Sequence, residues 1–249
     1  MTGGLRNAAA RLADLLWPRT CATEGCGRVS DRPGRHLCSR CLASLPFHAP
    51  HGCCRICGAE VAAEVRHDFV CEACASQAPV YACARSAVRY EAPVDQYVQD
   101  FKYRRATWLR ADLVDLLEGA VRAKLAFHEI DVVVPVPLHP HRLRARGYNQ
   151  SGLLAADLAG RLDRRLDVRS LVRTSDTPHQ ARLTEAERRA NLRQAFDVRD
   201  ARGVRGRTVL LVDDVMTSGA TLSCAARALL DAQAARVWCA TVARAIRRI

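Results

Sequence analysis

No run of 18 apolar residues occurs anywhere in the 249-residue chain, so no membrane-spanning helix is expected. Aromatic residues are scarce, with five Phe and three Trp, which leaves few platforms for stacking bases. Lysine is almost absent; Lys102 and Lys124 are the only two. No low-complexity segment is present. The N-terminal stretch MTGGLRNAAARLADLLWPR lacks the uninterrupted apolar core of an export signal, because Arg6, Arg11 and Asp14 break up Leu5, Leu12, Leu15 and Leu16. It reads instead as a short amphipathic helix, either a lid on a neighbouring domain or a membrane-surface anchor.

What the chain has in excess is arginine and clustered cysteine. Residues 1–80 carry a net charge of +2 and residues 81–249 one of +10. This balance favours polyanionic ligands, either phosphorylated small molecules or nucleic acid. Ten of the twelve cysteines lie between Cys21 and Cys83. Without an export signal, clustered pairs point to metal rather than to disulfides, and to a reducing, cytoplasmic setting.

Composition changes near 78–82, and the expected organisation is a Cys-rich domain over 1–80 followed by a second domain over 81–249. The first contains a repeat. Cys21-x4-Cys26 and Cys38-x2-Cys41, 11 residues apart, are followed by Cys54-x2-Cys57 and Cys71-x2-Cys74, 13 apart. Thiolates bind zinc tetrahedrally, and Gly27 and Gly58 after the second Cys of each opening pair permit the turn a knuckle needs. Eight ligands imply about two structural Zn2+ ions; the spacing leaves open how the pairs group, and Cys53 is an alternative to Cys54. A segment of this size with few large apolar side chains needs such a staple.

From residue 81 the pattern alternates: strands over 82–90, 131–138, 167–173, 209–214 and 236–244, and helices over about 93–103, 107–127, 149–163 and 219–233. Alternation of this kind argues for an α/β fold with a parallel sheet flanked by helices, whose ligands bind at the carboxyl ends of strands. VLLVDDVMTSGATL (209–222) brings two carboxylates and a small-residue loop to such an end. Thr217, Ser218, Gly219, Ala220 and Thr221 offer backbone N–H groups and hydroxyls to a phosphate at a helix N-terminus. Asp213 and Asp214, acceptors only when ionised, suit the 2′ and 3′ hydroxyls of a ribose. A 5-phosphoribose satisfies both. A receiver-type acidic cluster is the rival reading, but it lacks the TSGAT loop.

This stretch resembles the ribose-phosphate signature of the type I phosphoribosyltransferases. Over a wider span the chain resembles the ComF family, which joins that fold to an N-terminal double zinc ribbon. The Cys pairs, RYEAPVDQYVQDFKY, VPVPLHPHRLRARGYNQ, RTSDTPHQARLTEAERRANLRQAFDV and VLLVDDVMTSGATL carry the likeness in order. The x4 spacing of the first knuckle departs from the family's usual x2. The resemblance implies phosphoribosyl pyrophosphate as ligand, bound with Mg2+. It places the pyrophosphate at the turn of Val136, Pro137 and Leu138, with Arg142 and Arg146 beside it and a basic residue at Lys102. It also makes the polar segment 174–206 a flap that carries Arg188 over the reacting sugar, with Arg188 counted among the catalytic residues beside Asp213 and Asp214. The implied activity is phosphoribosyl transfer to an unidentified acceptor in a role linked to DNA uptake and natural transformation. The alternative is an adaptor for single-stranded DNA or an uptake helicase, with a regulatory or vestigial pocket.

Overall fold

The computed structural model describes residues 17–48, 52–60, 69–175 and 195–245. Its strands are β1 (Cys83–Arg89), β2 (Val132–Pro135), β3 (Arg165–Leu166), β4 (Leu171–Arg173), β5 (Phe196–Val198), β6 (Thr208–Met216) and β7 (Arg236–Arg244). Five of them form one parallel sheet in the order β1-β7-β6-β2-β3, while β4 and β5 make a separate antiparallel ladder. The helices are α1 (Ser39–Ala43), α2 (Glu72–Ser76), α3 (Val94–Tyr103), α4 (Arg110–Lys124), α5 (Pro140–Arg146), α6 (Gln150–Leu162) and α7 (Ala220–Asp231). Among the described residues no helix is long and apolar enough to cross a membrane.

The central strands are apolar at nearly every position because both faces of the sheet are covered. Leu210 and Val212 of β6 point into a core shared with α3, α4 and α6. Val209 and Leu211 point the other way, into a core shared with α7. Alternation within an unbroken apolar run therefore serves two cores rather than a core and solvent.

Three expectations change. The 131–138 strand ends at Pro135, and HPHRLRARG folds into α5, a helix not expected there. Pro140 at its first turn and Gly147 at φ 87° just beyond its last residue start and stop it. Residues 167–173 are not one strand. The Asp167 side chain accepts from the amides of Arg169 and Ser170, so the chain turns before β4 begins. The expected polar connection over 174–206 is not one loop: the Thr174 amide donates to Ala195 O at 2.9 Å, β5 pairs with β4, and a 3-10 turn follows at Ala201–Gly203. Pro178, Gln180, Arg188 and Asn191 of the expected flap lie outside the described residues, as does the N-terminal stretch before Trp17.

The two Cys repeats pack on opposite faces of the sheet. Leu37 and Leu45 from the first join the core of α3, α4 and α6; Cys54, Cys57 and Cys74 from the second join the core of α7. The first repeat is further fixed to α4 by Asp112, which is fully buried. It accepts from the amides of His36 (2.8 Å) and Leu37 (3.2 Å) and pairs with Arg32 at 2.8 Å. One turn on, Asp115 is held by Arg32, Arg35 and Arg161. Stripping one partner from such a buried cluster typically costs about 3–5 kcal/mol, because the remaining groups stay buried and uncompensated.

Candidate functional site

The eight cysteines expected as ligands gather into two groups, Cys21, Cys26, Cys38 and Cys41, and Cys54, Cys57, Cys71 and Cys74. Pairs one and two thus combine, as do three and four, and Cys53 stays outside. The repeat is structural as well as sequential. Cys38 and Cys71 each stand at the N-cap of a single-turn helix, and Cys41 and Cys74 lie within it. Gly27 and Gly58 take the left-handed conformation, at φ 63° and 70°. Zinc–sulfur bonds of about 2.3 Å in a tetrahedron put sulfurs about 3.8 Å apart. The observed Sγ separations are 3.9 Å (Cys26–Cys38), 3.5 Å (Cys26–Cys41) and 3.7 Å (Cys57–Cys71), and the cysteines are unbridged. Both groups are compatible with structural zinc.

The second constellation lies at the carboxyl ends of β2 and β6. Asp213 is buried; Ser151 Oγ at the start of α6 donates to its Oδ1 at 2.7 Å, and the Asp214 amide donates to the same atom at 2.9 Å. Asp214 Oδ1 pairs with Lys102 Nζ of α3 at 2.7 Å. Asp214 Oδ2 is buried without a hydrogen-bond partner, an acceptor left open among otherwise satisfied groups. Lys102, which the sequence alone could equally place on the surface, is therefore brought against the acidic pair. Ser151 is a member that sequence reasoning misses altogether. Its signal is the helix entry: Asn149 caps α6 by accepting from the Ser151 amide, and this turns the hydroxyl toward β6.

After Met216 the chain turns through exposed Thr217 and Ser218 to Gly219, at φ 79° the N-cap of α7. Ser218 Oγ accepts from the Ala220 amide at 3.3 Å, and Ala220 and Thr221 open the helix with its N–H groups toward the same end of the sheet. Glycine is required by the turn itself. A Cβ there would stand 2.6 Å from Met216 Cε and 3.1 Å from the Tyr81 hydroxyl.

Val136 is drawn beside the carboxylates because its amide donates to Val212 O at 2.9 Å, and Asn149 Nδ2 holds its carbonyl at 3.1 Å. Pro137 and Leu138 follow, half-buried, and lead into α5. Arg142 and Arg146 are carried by α5. Arg146 bonds Gln150 and stacks over the Tyr103 ring, 4.9 Å from its centroid, so it faces α3 and α6 rather than the two aspartates.

Electrostatics set the protonation of the acidic pair. Burial, then the neighbouring Asp214, push Asp213 up to about 7 against the pull of Ser151 and Lys102. At Lys102 burial acts to lower the pKa, but Asp214 and Asp213 outweigh it and raise it. The folded-state pKa of Asp213 thus exceeds the unfolded value of about 3.9, so its proton stabilises the fold fully below about pH 4, and that contribution is lost as pH rises through about 7. Asp213→Asn imitates the protonated form. It is expected to unfold at higher urea than the wild type at pH 8, by roughly 1–4 kcal/mol, and to match it at pH 4. An equal gap at both pH values would contradict this account.

The profile of the phosphoribosyl transferase domain matches residues 149–248. The chain is 33% identical to Competence protein F of Haemophilus influenzae over 215 residues, covering 81% of this chain and 88% of that protein. It is 31% identical to the DNA utilization protein YhgH of Salmonella typhimurium, covering 80% and 94%. Among solved structures it is similar to the purine phosphoribosyltransferase of Pyrococcus horikoshii, at 17% identity and a TM-score of 0.31, over 53% of this chain and 72% of that one. The sheet and its helices have the type I phosphoribosyltransferase arrangement, preceded by two four-cysteine groups that fit a double zinc ribbon.

Proposed function

The chain belongs to the ComF family, and on that footing we propose that it binds phosphoribosyl pyrophosphate with Mg2+ and transfers the phosphoribosyl group, in a role tied to DNA uptake. The observation that carries this reading is Asp214 Oδ2, a buried acceptor without a partner beside a helix N-terminus suited to an anion. A ligand offering only phosphate would be repelled there. One that brings a phosphate and a neighbouring diol satisfies the amides and the carboxylate together.

In this reading Asp214 accepts a ribose hydroxyl while Lys102 holds it ionised and in place. Asp213, fixed by Ser151, takes the second hydroxyl. Residues 217–221 receive the 5-phosphate. Val136, Pro137 and Leu138 receive the pyrophosphate, with Arg142 and Arg146 carried by the helix that follows. Mg2+ arriving with the ligand would supply charge neutralisation for the leaving pyrophosphate. As the bond from the anomeric carbon loosens, the carboxylates stabilise positive charge growing on the sugar. Arg188 is assigned to the flap that excludes water during transfer. The two four-cysteine groups hold zinc, one ion each.

Calorimetry decides between this reading and a plain nucleic-acid adaptor. Phosphoribosyl pyrophosphate is expected to saturate one site per chain with Mg2+ and to bind far more weakly with chelator. Single-stranded DNA titrated at several salt concentrations provides the contrast. Salt-dependent binding of DNA with no heat from phosphoribosyl pyrophosphate at millimolar concentration would establish the adaptor instead.

A further inference from the structure

The two cysteine clusters differ in the source of the cation that faces their sulfurs. In the first it is local: Arg28 Nε is 3.4 Å from Cys26 Sγ, and its Nη2 is 3.9 Å from Cys41 Sγ. In the second it comes from the end of β7. Arg244 Nη2 is 3.6 Å from Cys57 Sγ, and its Nη1 donates to Cys57 O at 2.7 Å. A zinc ion with four thiolates carries about two net negative charges, so a guanidinium against the sulfurs relieves charge and orients the ligands.

The same guanidinium reaches the last residue of β6, where the loop begins. Its Nη1 also lies 2.9 Å from Met216 Sδ, and Arg244 stands opposite Met216 in the β6–β7 ladder. The Ala245 amide donates to Met216 O at 2.9 Å. Met216 is buried, and its Cε occupies the space a Cβ on Gly219 would need. The Tyr81 hydroxyl closes the other side of that glycine, and Tyr81 shares a core with Cys54, Cys57 and Cys74. Cys57, Arg244, Met216 and Gly219 therefore form an unbroken path from the second cluster to the turn that carries Thr217 and Ser218. The first cluster's arginine makes no such reach; both of its sulfur contacts stay within the first repeat.

We propose that Arg244 is a positioning residue that couples the second metal centre to phosphoribosyl binding, so that metal at Cys54, Cys57, Cys71 and Cys74 sets the shape of the phosphate loop. This rests on the phosphoribosyl reading for its ligand, though not for the coupling itself. Linkage makes the effect reciprocal: the factor by which metal strengthens ligand binding is the factor by which ligand strengthens metal binding.

The test compares Arg244→Gln, Arg244→Lys and Arg28→Gln with the wild type, all as full-length, zinc-loaded protein. Hydrogen exchange of residues 216–221 reads the loop without any ligand. It is expected to quicken about ten-fold in Arg244→Gln and to stay at the wild-type rate in Arg28→Gln. Competition with a zinc chelator should show one weakened ion of two in both variants. Arg244→Lys restores charge beside Cys57 but cannot also reach Met216, so zinc is regained while the loop stays loose. Phosphoribosyl pyrophosphate affinity is expected to fall about ten-fold in Arg244→Gln alone, and adding that ligand to the wild type should tighten one zinc ion by a like factor. Wild-type exchange at 216–221 in Arg244→Gln, or equal loosening in Arg28→Gln, would overturn the coupling. Failure of the wild type to bind phosphoribosyl pyrophosphate would overturn the ligand assignment while the exchange data still decide the coupling.

Discussion

Replacing both Asp213 and Asp214 by alanine is expected to weaken phosphoribosyl pyrophosphate binding by at least about 100-fold while leaving the protein folded. Hydrogen bonds to a charged acceptor are worth about 1.5–3 kcal/mol each, and two of them give roughly two to four decades of affinity. The single substitutions should fall short of half each, because the pair shares a neighbour. Asp214→Ala strips Lys102 of its 2.7 Å partner and leaves a cation in the pocket, where it attracts phosphate and offsets part of the loss. Asp213→Ala leaves that ion pair intact and removes the carboxylate that burial already pushes up to about 7. The double variant should therefore lose affinity and, because it also strips the largely buried Lys102 of both carboxylates, lose some stability at pH 8 as well. Calorimetry for affinity and urea unfolding for stability read the two effects separately. Undiminished affinity in the folded double variant would remove the ribose from this pocket.

That two carboxylates and a small-residue loop meet at the end of β6 is legible in the amino-acid sequence, and for a physical reason. VLLVDD is apolar at every position up to its carboxylates, and a strand that apolar has to be covered on both faces, which makes it a central parallel strand and brings its loop to the ligand end of the sheet. The cysteine repeat is equally plain, but its grouping is not, since spacings of 11 and 13 residues are compatible with either arrangement. The grouping follows from two single-turn helices that begin at Cys38 and Cys71 and aim Cys41 and Cys74 back at the preceding knuckle. Ser151 cannot be assigned from sequence because its partner Asp213 is distant along the chain and meets it only when α6 packs against β6, and Lys102 is indicated only by the family resemblance until α3 brings it to Asp214. The α5 helix is within reach: Pro140 at its first turn and Gly147 beyond its last are ordinary start and stop signals. Arg244 carries no sequence signal, because its meaning depends on Cys57, which is 187 residues away.

Removal of zinc is expected to bring down the whole chain rather than residues 1–80 alone. A structural zinc site contributes on the order of 10–16 kcal/mol in small peptides, comparable with or larger than the whole 5–15 kcal/mol stability of a typical protein. The question is how far that loss spreads. Among the described residues the Cys-rich segment has no apolar core of its own beyond the Cys21, Cys26, Cys38 and Cys41 group: Leu37 and Leu45 are buried with the helices on one face of the sheet, and Cys54, Cys57 and Cys74 are buried with α7 on the other. Asp112, fully buried in α4, has the His36 and Leu37 amides among its partners. If the first repeat unfolds, that carboxylate loses donors it cannot replace, and α4 loses its cover. Zinc-loaded protein should therefore contain about two ions per chain and melt in one calorimetric transition. Treatment with a strong chelator, or Cys38→Ser, should lower that transition by more than about 10 °C, since each kcal/mol moves a chain of this size by roughly 2–4 °C. Cys224→Ser, which belongs to neither four-cysteine group, should leave it in place. Two separate transitions, with the sheet melting at its original temperature after chelation, would instead make 1–80 and 81–249 thermodynamically independent units.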